Sequence, residues 1–289
     1  MTRVSVLTPS FGYARFLPDA LDSVAAQRGI EVEHVVQDSC STDGTVEVLA
    51  GRNGVVWSSE PDDGQSDALN RALERATGEW IGWLNADEFY LPDAIARLVE
   101  AGERTDADVV FGDAVFVDAS GRLLRLLPQH KFSPTVLRWY GATIPSCAAL
   151  FRREALGVRP WTVGLRRIMD WDLYLTLAEQ GARLAYLPMP AAAFRVHDAQ
   201  VTSASAAESA AEYYRVAARH GLSWPTTHGP GRVLHGAMKL VGRAYGRQRA
   251  VAHVSGTDLR WFRADVGPGA ALEVLERGSR YPREVSCTS

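Results

Sequence analysis

Four groups of polar side chains in this chain have the types and the order that metal or proton-transfer chemistry needs. Asn85-Ala86-Asp87-Glu88 follows the apolar run Trp80 to Leu84. A carboxylate held at a strand mouth suits a hard divalent cation that also bridges phosphate oxygens; the same residues can equally form a turn that caps the helix near Pro92. Asp170-Trp171-Asp172 opens a helical stretch, where the helix dipole stabilises a carboxylate. One aspartate aimed at a substrate hydroxyl would be a general base, and either could simply cap the helix. Arg195-Val196-His197, followed by Thr202 and Ser203, offers an imidazole for a metal or a phosphate, or for plain packing. The fourth group is dispersed: Thr8 and Ser10, Asp38, then Ser59 and Glu60 each follow a short apolar run.

That last pattern depends on the elements around it. Val4 to Thr8, Val32 to Gln37, Val55 to Trp57 and Trp80 to Leu84 read as strands. Between them Leu17, Ala20, Leu21 and Val24 repeat at helical spacing with Pro18 near the start, and Ser41 to Ala50, Gln65 to Ala76 and Pro92 to Thr105 read as helices. Strand-helix alternation with short links predicts an α/β domain with a largely parallel sheet. Ligands of such sheets bind beyond the carboxyl ends of the strands, so the polar residues after each strand should converge. After Asp108 the rhythm changes to a mixed sheet with loops: strand-like Val109 to Phe111, Ala114 to Val117, Arg122 to Leu127, Ala148 to Phe151 and Leu184 to Leu187, with a helix from Asp172 to Gln180.

Composition narrows the classes. The 289 residues are 46% hydrophobic and 22% charged with a net charge of −3, an ordinary globular balance with no basic field that advertises nucleic acid. Cys40, Cys147 and Cys287 are too scattered for a disulfide framework or a zinc site, which suggests a reducing cytoplasm. No signal-peptide core is visible at the start, and no apolar run reaches the roughly 20 residues that span a bilayer.

Taken in order, the motifs resemble the family 2 inverting glycosyltransferases, which have the GT-A fold. Thr8-Pro9-Ser10-Phe11 is similar to that family's first strand-end motif, and Phe16-Leu17 through Ser23-Val24 and Gln27 to the helix after it. Gln37 through Thr45 resembles the loop holding the nucleotide base. Ser59 through Gly64, Asp67 through Asn70 and Ala76 through Trp80 resemble the approach to the metal motif. Asp170-Trp171-Asp172-Leu173 and Arg195-Val196-His197 resemble the catalytic-aspartate and late-histidine segments. The resemblance covers residues 3 to about 203. It implies a Rossmann-like, mostly parallel central sheet flanked by helices, with a donor half at 1–106, an acceptor half at 107–222 and a helical C-terminal extension at 223–289.

By that similarity Asp38 contacts the nucleobase, and Thr8, Pro9, Ser10, Phe11 and Glu60 line its pocket. Asp67, Asn85 and Ala86 help hold the donor, Asp87 binds Mn²⁺ or Mg²⁺, His197 contributes a metal ligand or a diphosphate contact, and Asp170 is the base. Two positions depart from the family: Asn85 stands where Asp is common, its amide oxygen still able to accept a hydrogen bond. Met169 stands where Glu is common, and its apolar thioether should raise the pKa of Asp170 by desolvation. A nucleotide diphosphate is a good leaving group once a metal neutralises it, so one base suffices where glycoside hydrolysis needs two carboxyl groups. The expected donor is a UDP-sugar, with GDP- or dTDP-sugars as alternatives, and the acceptor a glycan, a lipid-linked intermediate or a small molecule. Asn85 leaves a second reading open, a noncatalytic nucleotide-sugar-binding protein with a decayed metal site.

Ser203 to His220 reads as an amphipathic helix, and Pro225 with Gly229-Pro230-Gly231 ends it. Arg232, His235, Lys239, Arg243 and Arg247 then recur at three- and four-residue spacing, with Leu234, Ala237, Met238, Val241, Ala244 and Tyr245 opposite. A basic amphipathic helix over 231–250 predicts either a solvated basic face or peripheral contact with the inner face of a membrane. Residues 255–289 carry no readable motif.

Overall fold

A computed structural model of the chain describes residues 2–198, 206–222, 230–278 and 286–288. Its first hundred residues alternate β1 (Arg3–Ser10), α1 (Leu17–Ala25), β2 (Glu31–Asp38), α2 (Thr45–Ala50), β3 (Val55–Ser59), α3 (Gln65–Arg75) and β4 (Trp80–Trp83). Each helix returns the chain to the same edge, so β3, β2, β1 and β4 are parallel neighbours and their carboxyl ends share one rim. The apolar residues that predicted α1 are those it buries: Leu17, Ala20, Leu21 and Val24. α2 starts at Thr45 instead of Ser41, because Ser41 turns its backbone N–H and hydroxyl onto the Asp38 carboxylate and so leaves the helical path.

The second half is mixed, as the change of rhythm predicted. β5 (Phe89–Tyr90), α4 (Ala94–Thr105), β6 (Val109–Val117) and β7 (Leu123–Leu127) are followed by α5 (Pro134–Trp139), a 3-10 turn at Ser146–Ala148, β8 (Ala149–Arg152) and α6 (Arg153–Leu156). Then come α7 (Met169–Glu179), β9 (Leu184–Arg195), α8 (Ala206–Arg219), α9 (Pro230–Val241), α10 (Ala244–Ala252), α11 (Gly269–Gly278) and β10 (Ser286–Thr288). β8 lies antiparallel between β4 and β6, while β9 runs parallel to β6. The order across the sheet is β10-β9-β6-β8-β4-β1-β2-β3. α4 approaches so closely that a Cβ on Gly102 would lie 2.5 Å from the Trp80 ring; only glycine admits that packing.

Two expectations need correction. β9 does not stop at Leu187 but runs on through Pro188 and Pro190 to Arg195. Proline cannot donate to a ladder, and here the pairing with β6 slips in register around Asp113 opposite Pro190, the kind of irregularity that accommodates it. The basic stretch 232–247 is two helices, α9 and α10, broken at Gly242-Arg243, and Arg243 has φ 54. Its basic residues do not share a wet face: His235 and Arg247 are buried, while Val233, Leu240 and Val241 face outward. The helices expected in the C-terminal extension are present as α9, α10 and α11, and their described residues pack into the main core. Val251, Leu259, Trp261, Ala271 and Val274 belong to the same apolar cluster as Val4, Phe89, Ile95 and Val115, and the Trp261 indole donates to the Tyr90 carbonyl at 3.0 Å. Thr202, Ser203, Pro225 and Gly229 lie outside the described residues.

Candidate active site

The carboxyl ends of β1 to β4 open into a cleft of about 640 Å³. β1 contributes Pro9 and Ser10, with Phe11 and Tyr13 beyond it; Ser39 follows β2, Asp62 to Gln65 follow β3, and Trp83 with Asn85 to Glu88 come from the end of β4. Arg166, Arg167, Met169 and Asp170, from the approach to α7 and its first turn, complete the lining with Phe194 of β9. Gly64, at φ 97 and just before α3, is a backbone position that disfavours any side chain, and it sits below the Arg166 guanidinium.

Asp87 and His197, 110 residues apart, meet with Nε2 2.9 Å from Oδ2. β9 delivers His197, and buried Arg195 holds that strand end in place. Its Nε donates to the Asp87 carbonyl, Nη1 to the Ala119 carbonyl and Nη2 to Asp19 on α1. The imidazole packs against Phe16 at 4.5 Å between ring centres. Beside them Glu88 Oε2 accepts from the Asn85 N–H, while Oε1 is buried with no partner among the described residues. Burial, and then the nearby Asp87 charge, push the Glu88 carboxyl well above the usual range.

Among the described residues no set of three His, Cys, Asp or Glu side chains forms a metal cage. A hard carboxylate and a borderline imidazole in contact at a cleft wall are nonetheless a fitting partial shell. Mg²⁺ and Mn²⁺ commonly take one or two protein groups and complete their coordination with substrate phosphates and water.

Asp170 lies in the first turn of α7 and accepts from the N–H of Trp171 at 2.7 Å. Burial raises its pKa to about 6, the direction expected with Met169 beside it. Asp172 faces the opposite way and is fully committed: it accepts from Thr162 Oγ1 at 2.6 Å, from Arg219 at 3.1 Å and from His220 Nε2 at 2.9 Å. Of the two aspartates, Asp170 lines the cleft and Asp172 pins the helix.

Pro9, Ser10, Phe11, Asn85, Ala86, Asp87 and Asp170 all line the cleft. Four other expected donor residues do not contribute to its wall. Thr8 is buried and hydrogen-bonded to His34, a ring that burial keeps neutral with a pKa of about 3. Asp38 is enclosed by Ser41 and Ser59 and shapes the loop that presents Ser39. Glu60 is exposed and turned toward Arg71. Asp67 is clasped by Arg71 and Arg159 at 2.8 and 2.6 Å, so it anchors α3. Asn85 also differs from expectation. Its Oδ1 already accepts from Gln65 at 2.6 Å and from the Trp83 indole at 2.9 Å. An indole N–H can only donate, which fixes the amide orientation and leaves Nδ2, a donor, for any ligand. Arg166, Arg167, Tyr13 and Trp83 were missed; the paired arginines just ahead of Asp170 were the visible signal.

Comparison with known proteins identifies the family and the fold. The model of the family described as Glycosyl transferase family 2 matches residues 5–158. A "PGL/p-HBAD biosynthesis glycosyltransferase" of Mycobacterium bovis is 31% identical over 186 residues, taking in 58% of this chain and 66%, just under two thirds, of the relative's own length. In fold, the chain resembles S. aureus TarS in complex with UDP (TM-score 0.59, 18% identity, 76% of this chain and 65% of that one). It also resembles the mannosyltransferase PcManGT from Pyrobaculum calidifontis in complex with GDP-Man and Mn²⁺ (TM-score 0.57, 19% identity, 94% and 73%). The architecture is that of the GT-A glycosyltransferases.

Proposed function

The chain belongs to glycosyl transferase family 2, and on that premise we propose that it is a metal-dependent inverting transferase moving a sugar from a nucleoside-diphosphate sugar to an acceptor hydroxyl. The observation that carries this reading is that Asp170, a carboxylate with its pKa raised to about 6, lines the same cleft as Asp87, which is in contact with His197. A base with that pKa is ionised at neutral pH yet basic enough to take a proton in the transition state.

Asp87 and His197 would hold Mn²⁺ or Mg²⁺, and the cation would supply positive charge against the departing diphosphate. Asp170 receives the acceptor hydroxyl proton as that oxygen bonds to the anomeric carbon. The bond from that carbon to the diphosphate oxygen breaks, and its electron pair leaves with the nucleoside diphosphate. Attack from the opposite face converts an α-linked donor into a β-linked product. Phe11 and Pro9 offer an apolar surface for the nucleobase, Asn85 Nδ2 donates to the ribose or diphosphate, and Arg166 and Arg167 add positive charge beside it. A UDP-sugar is the favoured donor, supported by the UDP-bound neighbour, and a GDP-sugar the alternative, supported by the GDP-Man-bound one. The expected setting is the biosynthesis of a polysaccharide or glycoconjugate at the cytoplasmic side of a cell membrane.

The test is a panel of nucleotide sugars scored by thermal shift with and without Mn²⁺, repeated on Asp87→Ala. One donor should stabilise the protein only with metal and only in the unmutated chain. Donor turnover should follow, with an NMR readout of β-configured product. A folded protein that no donor stabilises under any metal would sink the proposal and favour the decayed-site reading; an α-configured product would remove the single-displacement mechanism.

A further inference from the structure

α9 is inside out by the usual standard of a basic helix. It packs on α5 so tightly that a Cβ on Gly231 would collide with the Trp139 carbonyl, and it turns His235 inward to His130. The residues left outside are apolar: Val233, Leu240 and Val241 are 73, 69 and 84% exposed, with Ala237 exposed between them. Their spacing places them along one stripe. Its aromatic flank comes from Trp139 at the end of α5 and from Tyr245 of α10, both about half exposed.

The chain segment that carries this stripe has charge of one sign. Between Glu212 and Asp258 the sequence contains no aspartate or glutamate, while Arg232, Arg243 and Arg249 are exposed. Where α9 meets α10, Leu240, Tyr245 and Gly246 line a groove with Arg243 and Arg249. Two guanidiniums beside an aliphatic and an aromatic side chain form a site for a phosphate carried on an apolar body. No helix among the described residues is long and apolar enough to cross a membrane, so such a face would rest on a bilayer instead of spanning it.

We propose that the α9–α10 face docks on an anionic lipid bilayer, with Leu240, Val241 and Tyr245 entering the acyl boundary and Arg243 and Arg249 taking headgroup phosphates. An aliphatic stripe flanked by aromatic and basic residues matches the layering of that interface, in which apolar groups lie just below the phosphates. α5 links this face to the cleft: Trp171, next to Asp170, donates its indole N–H to the Leu137 carbonyl at 2.7 Å. If the transferase reading holds, docking here presents a lipid-borne acceptor hydroxyl to Asp170.

The test is sedimentation of the full chain with phosphatidylcholine vesicles, with and without phosphatidylglycerol. The variants are Leu240→Glu with Val241→Glu, and Arg243→Gln with Arg249→Gln. The unmutated chain should bind only the phosphatidylglycerol vesicles, and less as salt rises. Each variant should keep its melting temperature and lose at least about tenfold in partitioning. Equal binding by the unmutated chain and both variants would overturn the proposal, as would no binding at all. So would a dimer that Leu240→Glu with Val241→Glu dissociates, because a second copy would then cover the face. Donor-induced thermal shift on the same samples separates this outcome from failure of the transferase reading.

Discussion

At the scale of single residues, Asp170 and Asn85 carry the sharpest consequences. Asp170 must be ionised to accept a proton, so kcat should rise with pH through about 6 and level off above it. Asp170→Asn should lower kcat by at least about a thousandfold, with donor affinity retained, because the amide keeps the shape and lacks the basicity. A pH–rate profile and a donor titration on both proteins check this; an unchanged acid limb in the variant would assign the titration elsewhere. Asn85 makes a separate prediction. Its oxygen is occupied by Gln65 and Trp83, so Asn85→Asp keeps both bonds and puts a second carboxylate oxygen where Nδ2 now stands. That oxygen should tighten Mn²⁺ binding by about tenfold, since added ligand charge raises affinity at such sites, as measured by Mn²⁺ titration in the presence of donor. A weaker or unchanged Mn²⁺ affinity would mean that Asn85 faces away from the cation.

At the scale of elements, the roles proposed for the two aspartates of α7 separate catalysis from stability. Asp172 is held by Thr162, Arg219 and His220, and His220 reaches on to Glu179 at 2.9 Å. Asp172→Asn removes the charge from a buried cluster and should cost about 2–3 kcal/mol of folding stability. Asp170→Asn should leave the melting temperature unchanged or raise it, because folding disfavours the ionised carboxylate there. Calorimetry at pH 7 on the pair reads the difference, and equal losses would contradict the division of roles. Motif order singled out Asp170, but the anchoring of Asp172 was not visible in the sequence, because it depends on a partner, His220, 48 residues away. The parallel half was legible because each strand is a short apolar run closed by polar residues and each helix shows its buried stripe. The meeting of Asp87 with His197, and the place of Asp170 in the cleft, were legible through motif order. Thr8, Asp38, Glu60 and Asp67 were expected in the cleft and lie off its wall, because motif position tells where a residue sits along the chain and not which neighbour claims its oxygens. The full length of β9 is harder to read, because Pro188 and Pro190 interrupt the strand pattern that the alanines and Phe194 continue.

At the scale of the whole molecule, the C-terminal helices are bound to the catalytic half by buried polar groups as well as by a shared core. Arg247 of α10 reaches Asp113 on β6, with Nε 3.0 Å from Oδ2, and donates to the Gln129 carbonyl at 2.7 Å. Removing the guanidinium in Arg247→Met would strand the Asp113 carboxylate in the core and cost about 3–5 kcal/mol, on the order of 10 °C in melting temperature. Next to this pair His130 and His235 form a neutral relay. The Lys131 carbonyl accepts from His130 Nδ1, so His130 Nε2 must accept in turn from His235 Nδ1–H, 2.9 Å away. Burial lowers both pKa values, that of His235 to about 4, helped by Lys239. Groups whose pKa falls on folding add stability that is complete above their unfolded value near 6.5 and lost as pH drops toward the folded one. The melting temperature should therefore fall between about pH 6.5 and 4, and His235→Gln should flatten that slope. Because Val251, Leu259 and Trp261 share one apolar cluster with Val4 and Phe89, the loss should appear as a single unfolding transition. Calorimetry across that pH range decides the matter: two resolved transitions, with only the first sensitive to pH, would show that the C-terminal helices melt independently and that the relay serves them alone.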